Sequence, residues 1–137
     1  MERKYAEFAA TKACELLAID SPSGYTRKAA TWVKEAFEAL GFAAKITTKG
    51  GVLADLGGAD KDDALFLQAH TDTLGAMVAE IKANGRLKLT PLGGLRAENA
   101  ETENVRVHTR TGKIIEGTVQ LCNASVHVNG EYGEAKR

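Results

Sequence analysis

His70 and Asp72 are the residues of this sequence whose types and spacing could do chemistry. They stand one residue apart in the stretch Ala64-Leu65-Phe66-Leu67-Gln68-Ala69-His70-Thr71-Asp72-Thr73-Leu74-Gly75. A neutral imidazole binds a divalent metal through one ring nitrogen. A carboxylate on the other nitrogen fixes the tautomer and raises the basicity of the ligand. In extended chain, side chains two apart share a face, so Asp72 is placed to support His70 in this way. The same pattern also fits a hydrogen-bonded surface histidine. A metal takes three or four protein ligands, so one His is a ligand and not a site.

The element that must position the pair is the strand before it. Ala64 to Leu67 is an apolar run of strand length, with Gly57-Gly58 and Lys61-Asp62-Asp63 marking its start. Ligand sites of open α/β sheets lie just outside the carboxyl ends of strands, which is where His70 and Asp72 fall. Upstream, Tyr5, Phe8, Ala9, Ala13, Leu16 and Leu17 form one apolar stripe and predict a helix from Lys4 to Ala18. Asp20-Ser21-Pro22-Ser23-Gly24 breaks it with turn and cap chemistry. A second helix is expected from Thr26 to Leu40, stopped by Gly41, with Trp32 at the edge of its stripe as a packing residue. Short strands over Ala43 to Thr48 and Val52 to Leu56 precede the Ala64 to Gln68 strand. Two helices and three strands begin an α/β sheet domain. A parallel sheet needs cover on both faces, and no amphipathic helix follows to complete it.

After Gly75 the pattern turns antiparallel. Met77 to Ala83 and Arg86 to Thr90 read as a hairpin about Asn84-Gly85, with Ala79 and Ile81 facing Leu87 and Leu89. Pro91 to Gly94 ends it. Arg96 to Asn104 reads as a mobile polar loop. Val105 to Thr109 and Lys113 to Leu121 are strands about Thr111-Gly112, with Gly117 as a bulge, and Ser125 to Val128 is a further β segment. This half reads as a small antiparallel barrel or sandwich. The residues from Gly130 to Arg137 are polar and add no closing element. The division expected is 1–74 and 75–137.

Composition narrows the function. The 137 residues carry 18 basic and 18 acidic side chains, net +0. That balance, with no basic run, argues against a nucleic-acid partner. No run is long enough to span a membrane. Residues 1–7 are charged with no apolar signal core behind them, which argues against export. Cys14 and Cys122 match no metal or redox spacing and are expected as reduced, mostly buried thiols of a cytoplasmic protein. His108 and His127 each fall in a β segment without an acid at ligand spacing, and are read as structural or surface residues. No Gly-x-Ser-x-Gly nucleophile, phosphate loop or pair of glycosidase acids is present.

Several of these segments together resemble the M42 metallo-aminopeptidases. Ile19-Asp20-Ser21-Pro22-Ser23-Gly24-Tyr25 is similar to that family's Ser-Pro-Ser-Gly turn, and His70-Thr71-Asp72-Thr73-Leu74-Gly75 to its His-x-Asp-x-x-Gly motif. Met77 to Gly85, Gly93-Gly94 and Val105 to Gly117 follow in the family's order. Thr71 and Thr73 stand where many members have Met and Glu. The resemblance implies a zinc-peptidase-like sheet domain, incomplete in this sequence, followed by a small antiparallel, barrel-like inserted domain of the dimerisation type. It implies two divalent metal ions, zinc or cobalt, and hydrolysis of N-terminal residues from peptide substrates. His70 would be a metal ligand, and Asp72 the catalytic-motif acid that supports it. The intact family assembles as dimer-based homo-oligomers, up to dodecamers.

The family's other ligands and its catalytic Glu come after the β insertion, and nothing after Leu121 supplies them. The sequence is therefore expected to be the N-terminal portion of such an enzyme, contributing one metal ligand and inactive alone. An M20-like deacetylase or dipeptidase also places His-x-Asp at a strand end, but inserts its extra domain later and as an α/β unit. A non-catalytic assembly or binding module, with His70 incidental, is the third reading.

Overall fold

The computed structural model describes residues 2–60, 62–121, 125–128 and 130. The chain divides into two compact units, Met1–Gly93 and Gly94–Arg137.

The first unit opens with two helices. Helix α1 spans Arg3–Leu17 and α2 spans Arg27–Ala39, each within a residue of its expected bounds. The end of α2 shows why it stops. Gly41 takes φ +88°, its N–H bonds the carbonyl of Glu38, and the N–H of Phe42 bonds that of Phe37. Only glycine adopts that left-handed turn without strain, and the paired bonds satisfy carbonyls the helix leaves open. Helix α2 packs on α1 and on the hairpin that follows it. Ala29 and Ala30 are its buried residues. The Lys12 ammonium lies 5.6 Å over the Trp32 ring, so Trp32 serves as a packing surface between the helices. The α1 stripe is less covered than its pattern implies, with Tyr5, Phe8 and Leu17 all exposed.

The sheets differ from the parallel arrangement expected. Strands β1 (Ala43–Ile46) and β2 (Val52–Asp55) pair antiparallel with each other, Ala43 opposite Asp55. The turn over residues 47–51 is too short for the crossover a parallel pair requires. It is closed by Thr47 N–H to Gly51 O at 2.7 Å and Gly50 N–H to Thr47 O at 2.9 Å. Strands β3 (Gly75–Ile81) and β4 (Leu87–Leu92) form a second antiparallel hairpin. Its turn is at Asn84-Gly85 as expected, with Gly85 at φ +81°. Ile81 faces Leu87, but Leu89 pairs with Val78 rather than Ala79, because the register slips between Val78 and Glu80.

The expected third strand is absent. Ala64 to Gln68 form no ladder, and Leu65, Phe66 and Leu67 are 85%, 71% and 72% exposed. A strand needs a hydrogen-bonding neighbour, and none of the six strands among the described residues pairs with this run; each is bonded only within its own hairpin.

The second unit has a short helix α3 (Ala97–Ala100) where a loop was expected. Ala97, Glu98 and Ala100 favour helix, and Glu98 suits the positive end of the helix dipole. Strands β5 (Asn104–His108) and β6 (Ile114–Thr118) pair about Gly112, as the sequence indicates. Strand β6 is shorter than expected because its partner has only five residues. Gly117 pairs in unbroken register with Val105, so it is not a bulge. Residues 125–128 form a turn instead of a strand. With two-stranded sheets only, the described residues close no barrel. The architecture is mixed α/β with small antiparallel sheets.

One contact outside the hairpins shapes the first unit. Pro22 and Thr73 form an isolated parallel bridge. A Cβ on Gly75 would lie 2.6 Å from Pro22 Cβ, inside any allowed contact with a rigid ring. Gly75→Ala should therefore destabilise the fold by about 1–3 kcal/mol in urea unfolding. Gly94→Ala is the control: a Cβ there meets nothing within 4 Å, and the change should stay within about 0.5 kcal/mol.

Candidate functional site

Two segments about 50 residues apart in sequence build the site. One is the turn after α1. Tyr25 N–H closes on Pro22 O at 2.8 Å, with Gly24 at φ +87° in the third position. Such a turn requires positive φ there, which glycine supplies. The other segment is Thr71 to Thr73. Thr73 N–H donates to Ser21 O at 2.9 Å, and Ser21 Oγ donates to Thr71 O at 3.0 Å. Pro22 costs the bridge nothing, since the donor is Thr73 and the acceptor Ser21. Ser21 is only 1% exposed.

Between these ties sits Asp72. Its Oδ2 accepts a hydrogen bond from Ser23 Oγ at 2.6 Å, and its Oδ1 lies 3.1 Å from His70 Nδ1. The backbone carbonyl of Asp72 is 3.2 Å from the same nitrogen. Carboxylate and carbonyl oxygens only accept, so Nδ1 carries a proton, and in the neutral ring Nε2 then keeps its lone pair. That is the tautomer a metal ligand requires. The Ser23 hydroxyl holds the Asp72 carboxyl below its ordinary value of 3.8, with desolvation working against it and the Asp72 backbone and His70 adding to the lowering. Asp72 is therefore an anion at neutral pH. His70 itself is exposed, and an open hollow of about 400 Å³ is lined by Gln68, Ala69 and His70.

The structure thus brings His70 and Asp72 together as their spacing indicates, though not at the end of a paired strand. It adds Ser21 and Ser23, which the sequence presents only as turn residues. Their partners lie 50 and 49 positions away, so no local pattern points to them. Only the resemblance to a Ser-Pro-Ser-Gly turn sets them apart. Among the described residues no group of three or more His, Cys, Asp or Glu could hold a metal ion. His108 is half-buried on β5, whereas His127 is exposed in a turn rather than a β segment. Cys14 is exposed, contrary to the buried thiol expected: it lies on α1, none of whose residues is buried. Cys122 lies outside the described residues.

The family model for M42 glutamyl aminopeptidases matches residues 50–137. YhfE of Bacillus subtilis, which carries an aminopeptidase name, is 40% identical over 123 residues, covering 90% of this chain and 36% of that protein. The glutamyl aminopeptidase of Lactococcus lactis is 29% identical over 101 residues, covering 73% and 28%. Among solved structures, the aminopeptidase APDkam598 of the archaeon Desulfurococcus kamchatkensis matches with a TM-score of 0.70 at 25% identity, over 76% of this chain and 29% of that one. The TET aminopeptidase of a marine-sediment thaumarchaeote shares the fold, with a TM-score of 0.69 at 24% identity, over 94% and 36%. The proteins it is similar to carry aminopeptidase names. The chain belongs to the M42 glutamyl aminopeptidase family. It spans about a third of the length of the curated relatives it matches.

Two substitutions probe the ties around Asp72. Ser21→Ala should lower stability by about 1 kcal/mol, because it removes a hydrogen bond from the Thr71 carbonyl in a part-buried place. Ser23→Ala should raise the Asp72 pKa toward 3.8 in an NMR titration of the metal-free chain. The sign for stability follows. A depressed carboxylate pKa stabilises the fold above its unfolded value, and that contribution is lost as pH falls through the folded one. The stability gap between wild type and Ser23→Ala should be full above about pH 4 and shrink below it.

Proposed function

We propose that the chain carries part of the catalytic machinery of a divalent-metal aminopeptidase that removes N-terminal residues from peptides. In this reading residues 1–74 belong to the catalytic α/β domain and 75–137 to an inserted β-rich domain of the dimerisation type. The observation that carries it is the His70–Asp72 contact. An imidazole whose Nδ1–H is committed to a carboxylate has Nε2 as a prepared metal ligand.

The donor set fits one ligand of a metal centre. His70 would hold one of two ions, zinc or cobalt. Asp72 uses one oxygen on His70 and the other on Ser23, so its role is to orient the ring. A centre needs three or four protein ligands, and in this reading the others come from outside the described residues. When bound, the metal supplies Lewis acidity toward a peptide carbonyl. The residues of this chain fix the ligand tautomer, hold the carboxylate in place and leave open the hollow beside His70, where a peptide end can enter. Kinship with M42 members supports this reading over an M20-like deacetylase and over a module without catalysis. No described helix is long and apolar enough to cross a membrane. A dimer-based homo-oligomer fits the exposed Met77, Val78 and Ile81 of the β3–β4 hairpin.

The test uses the full-length protein. His70→Ala should weaken zinc or cobalt binding by more than about 100-fold, beyond the range seen for residues that merely support a ligand. Release of p-nitroaniline from aminoacyl-p-nitroanilides should vanish with it. The circular dichroism spectrum should stay unchanged, because His70 is exposed. Undiminished metal affinity in the variant would remove His70 from the ligand set.

A further inference from the structure

We propose that Ser23 is a positioning residue for His70. Its hydroxyl holds Asp72 in the orientation that keeps the proton on Nδ1 and presents Nε2 to a metal. This rests on the reading of His70 as a ligand.

The imidazole has little else to hold it. His70 is exposed, and among the described residues its hydrogen-bond partners are both on Asp72. Packing therefore does not set the ring orientation, and the Asp72 carboxylate must. A carboxylate on its own is a poor guide, because the terminal torsion of Asp is broad. A second bond, on the far oxygen, removes that freedom. Ser23 Oγ makes it at 2.6 Å on Oδ2, while Oδ1 faces Nδ1 at 3.1 Å. An ionised carboxylate only accepts, so the order of donation is fixed. Ser23 donates to Asp72 from one side and His70 from the other.

The backbone makes the Ser23 bond dependable. Thr71 and Thr73, the two neighbours of Asp72, are both bonded to Ser21, one through its side chain and one through its carbonyl. On the other strand of this clamp, Ser23 is two residues from Ser21, in a turn fixed by Gly24 and by Tyr25 N–H to Pro22 O. The distance between Ser23 and Asp72 is thus set by bonds other than their own. The backbone of Ser23 is ordered before its hydroxyl contributes, so only one short side-chain rotor is fixed in making the contact. A serine that only completed a turn would have no need of a partner 49 residues away.

The experiment compares wild type, Ser23→Ala and Ser23→Thr in the full-length protein. Nitrogen-15 NMR of the metal-free protein reads the His70 tautomer. Zinc affinity is read by competition with a chromophoric chelator. Wild type should show Nδ1–H. Ser23→Ala should populate the Nε2–H form and bind zinc about 10–100-fold more weakly. Ser23→Thr, which keeps a hydroxyl, should restore both. An Nε2–H tautomer in the wild type would overturn the proposal. So would a Ser23→Ala protein that loses thermal stability while its tautomer and zinc affinity stay put, since that is the mark of a merely structural serine. A tautomer that follows Ser23 in a protein whose zinc affinity ignores His70→Ala would uphold the serine–aspartate–histidine linkage and overturn the ligand reading beneath it.

Discussion

Ser21 bonds the backbone of Thr71 and Thr73 across about 50 residues of sequence, and the local structure of the site depends on that tie. Its two bonds differ in kind. The Thr73 N–H to Ser21 O bond is a backbone bond that any residue could supply. The Ser21 Oγ to Thr71 O bond needs a small hydroxyl in a buried position. A hydrogen bond of this kind contributes about 1 kcal/mol net. The tie also dictates its neighbours. Pro22 comes so close to the chain after Thr73 that residue 75 has no room for a Cβ. The glycine of the motif is therefore a packing requirement.

The tie separates a fixed base from an accessible tip. Ser21 is buried, Asp72 is half-buried and His70 is exposed. Along this series control passes from packing to hydrogen bonding. Apolar burial is non-directional, so it could not select one ring nitrogen over the other. An acceptor beside Nδ1 selects it by chemistry, and a depressed carboxyl pKa keeps that acceptor charged. The exposure of the imidazole is then compatible with a defined tautomer, which a metal ligand needs.

Much of this was legible in the sequence, and the limits have physical reasons. Both helices could be read because their stripes and stop signals are local, as Gly41 shows. The hairpins could be read for the same reason, since Asn84-Gly85 and Thr111-Gly112 carry their own turn chemistry. The His70–Asp72 contact was legible from a spacing of two. Strand pairing was not. The apolar run from Ala64 to Leu67 is indistinguishable by pattern from a paired strand, and whether a neighbour exists is a non-local fact. The bulge at Ala79 and the length of β6 depend on the partner strand, so neither could be taken from one segment alone. Ser21 and Ser23 have the composition of an ordinary turn, and their bonds to Thr71 and Asp72 become visible only when the two segments are brought together.

The exposed run and the tied segment meet at His70, and this makes the anchoring of the site one-sided. On the C-terminal side of His70, Thr71 to Thr73 are bonded to Ser21, and β3 begins at Gly75. On the N-terminal side, Ala64 to Ala69 have no ladder, and Leu65, Phe66 and Leu67 face solvent. A run without polar alternation has no face suited to water, so both of its faces call for cover. The hairpins on either side do not give it: each of their strands is bonded only to its own hairpin partner, and none pairs with this run. The precision of His70 therefore comes from the segment that follows it. That explains why the bonds that define its ring run forward to Asp72, and through Asp72 to Ser23, and none runs back along the apolar stretch. Cover over residues 64–69 would add a second anchor, but the tautomer would still be decided on the other side.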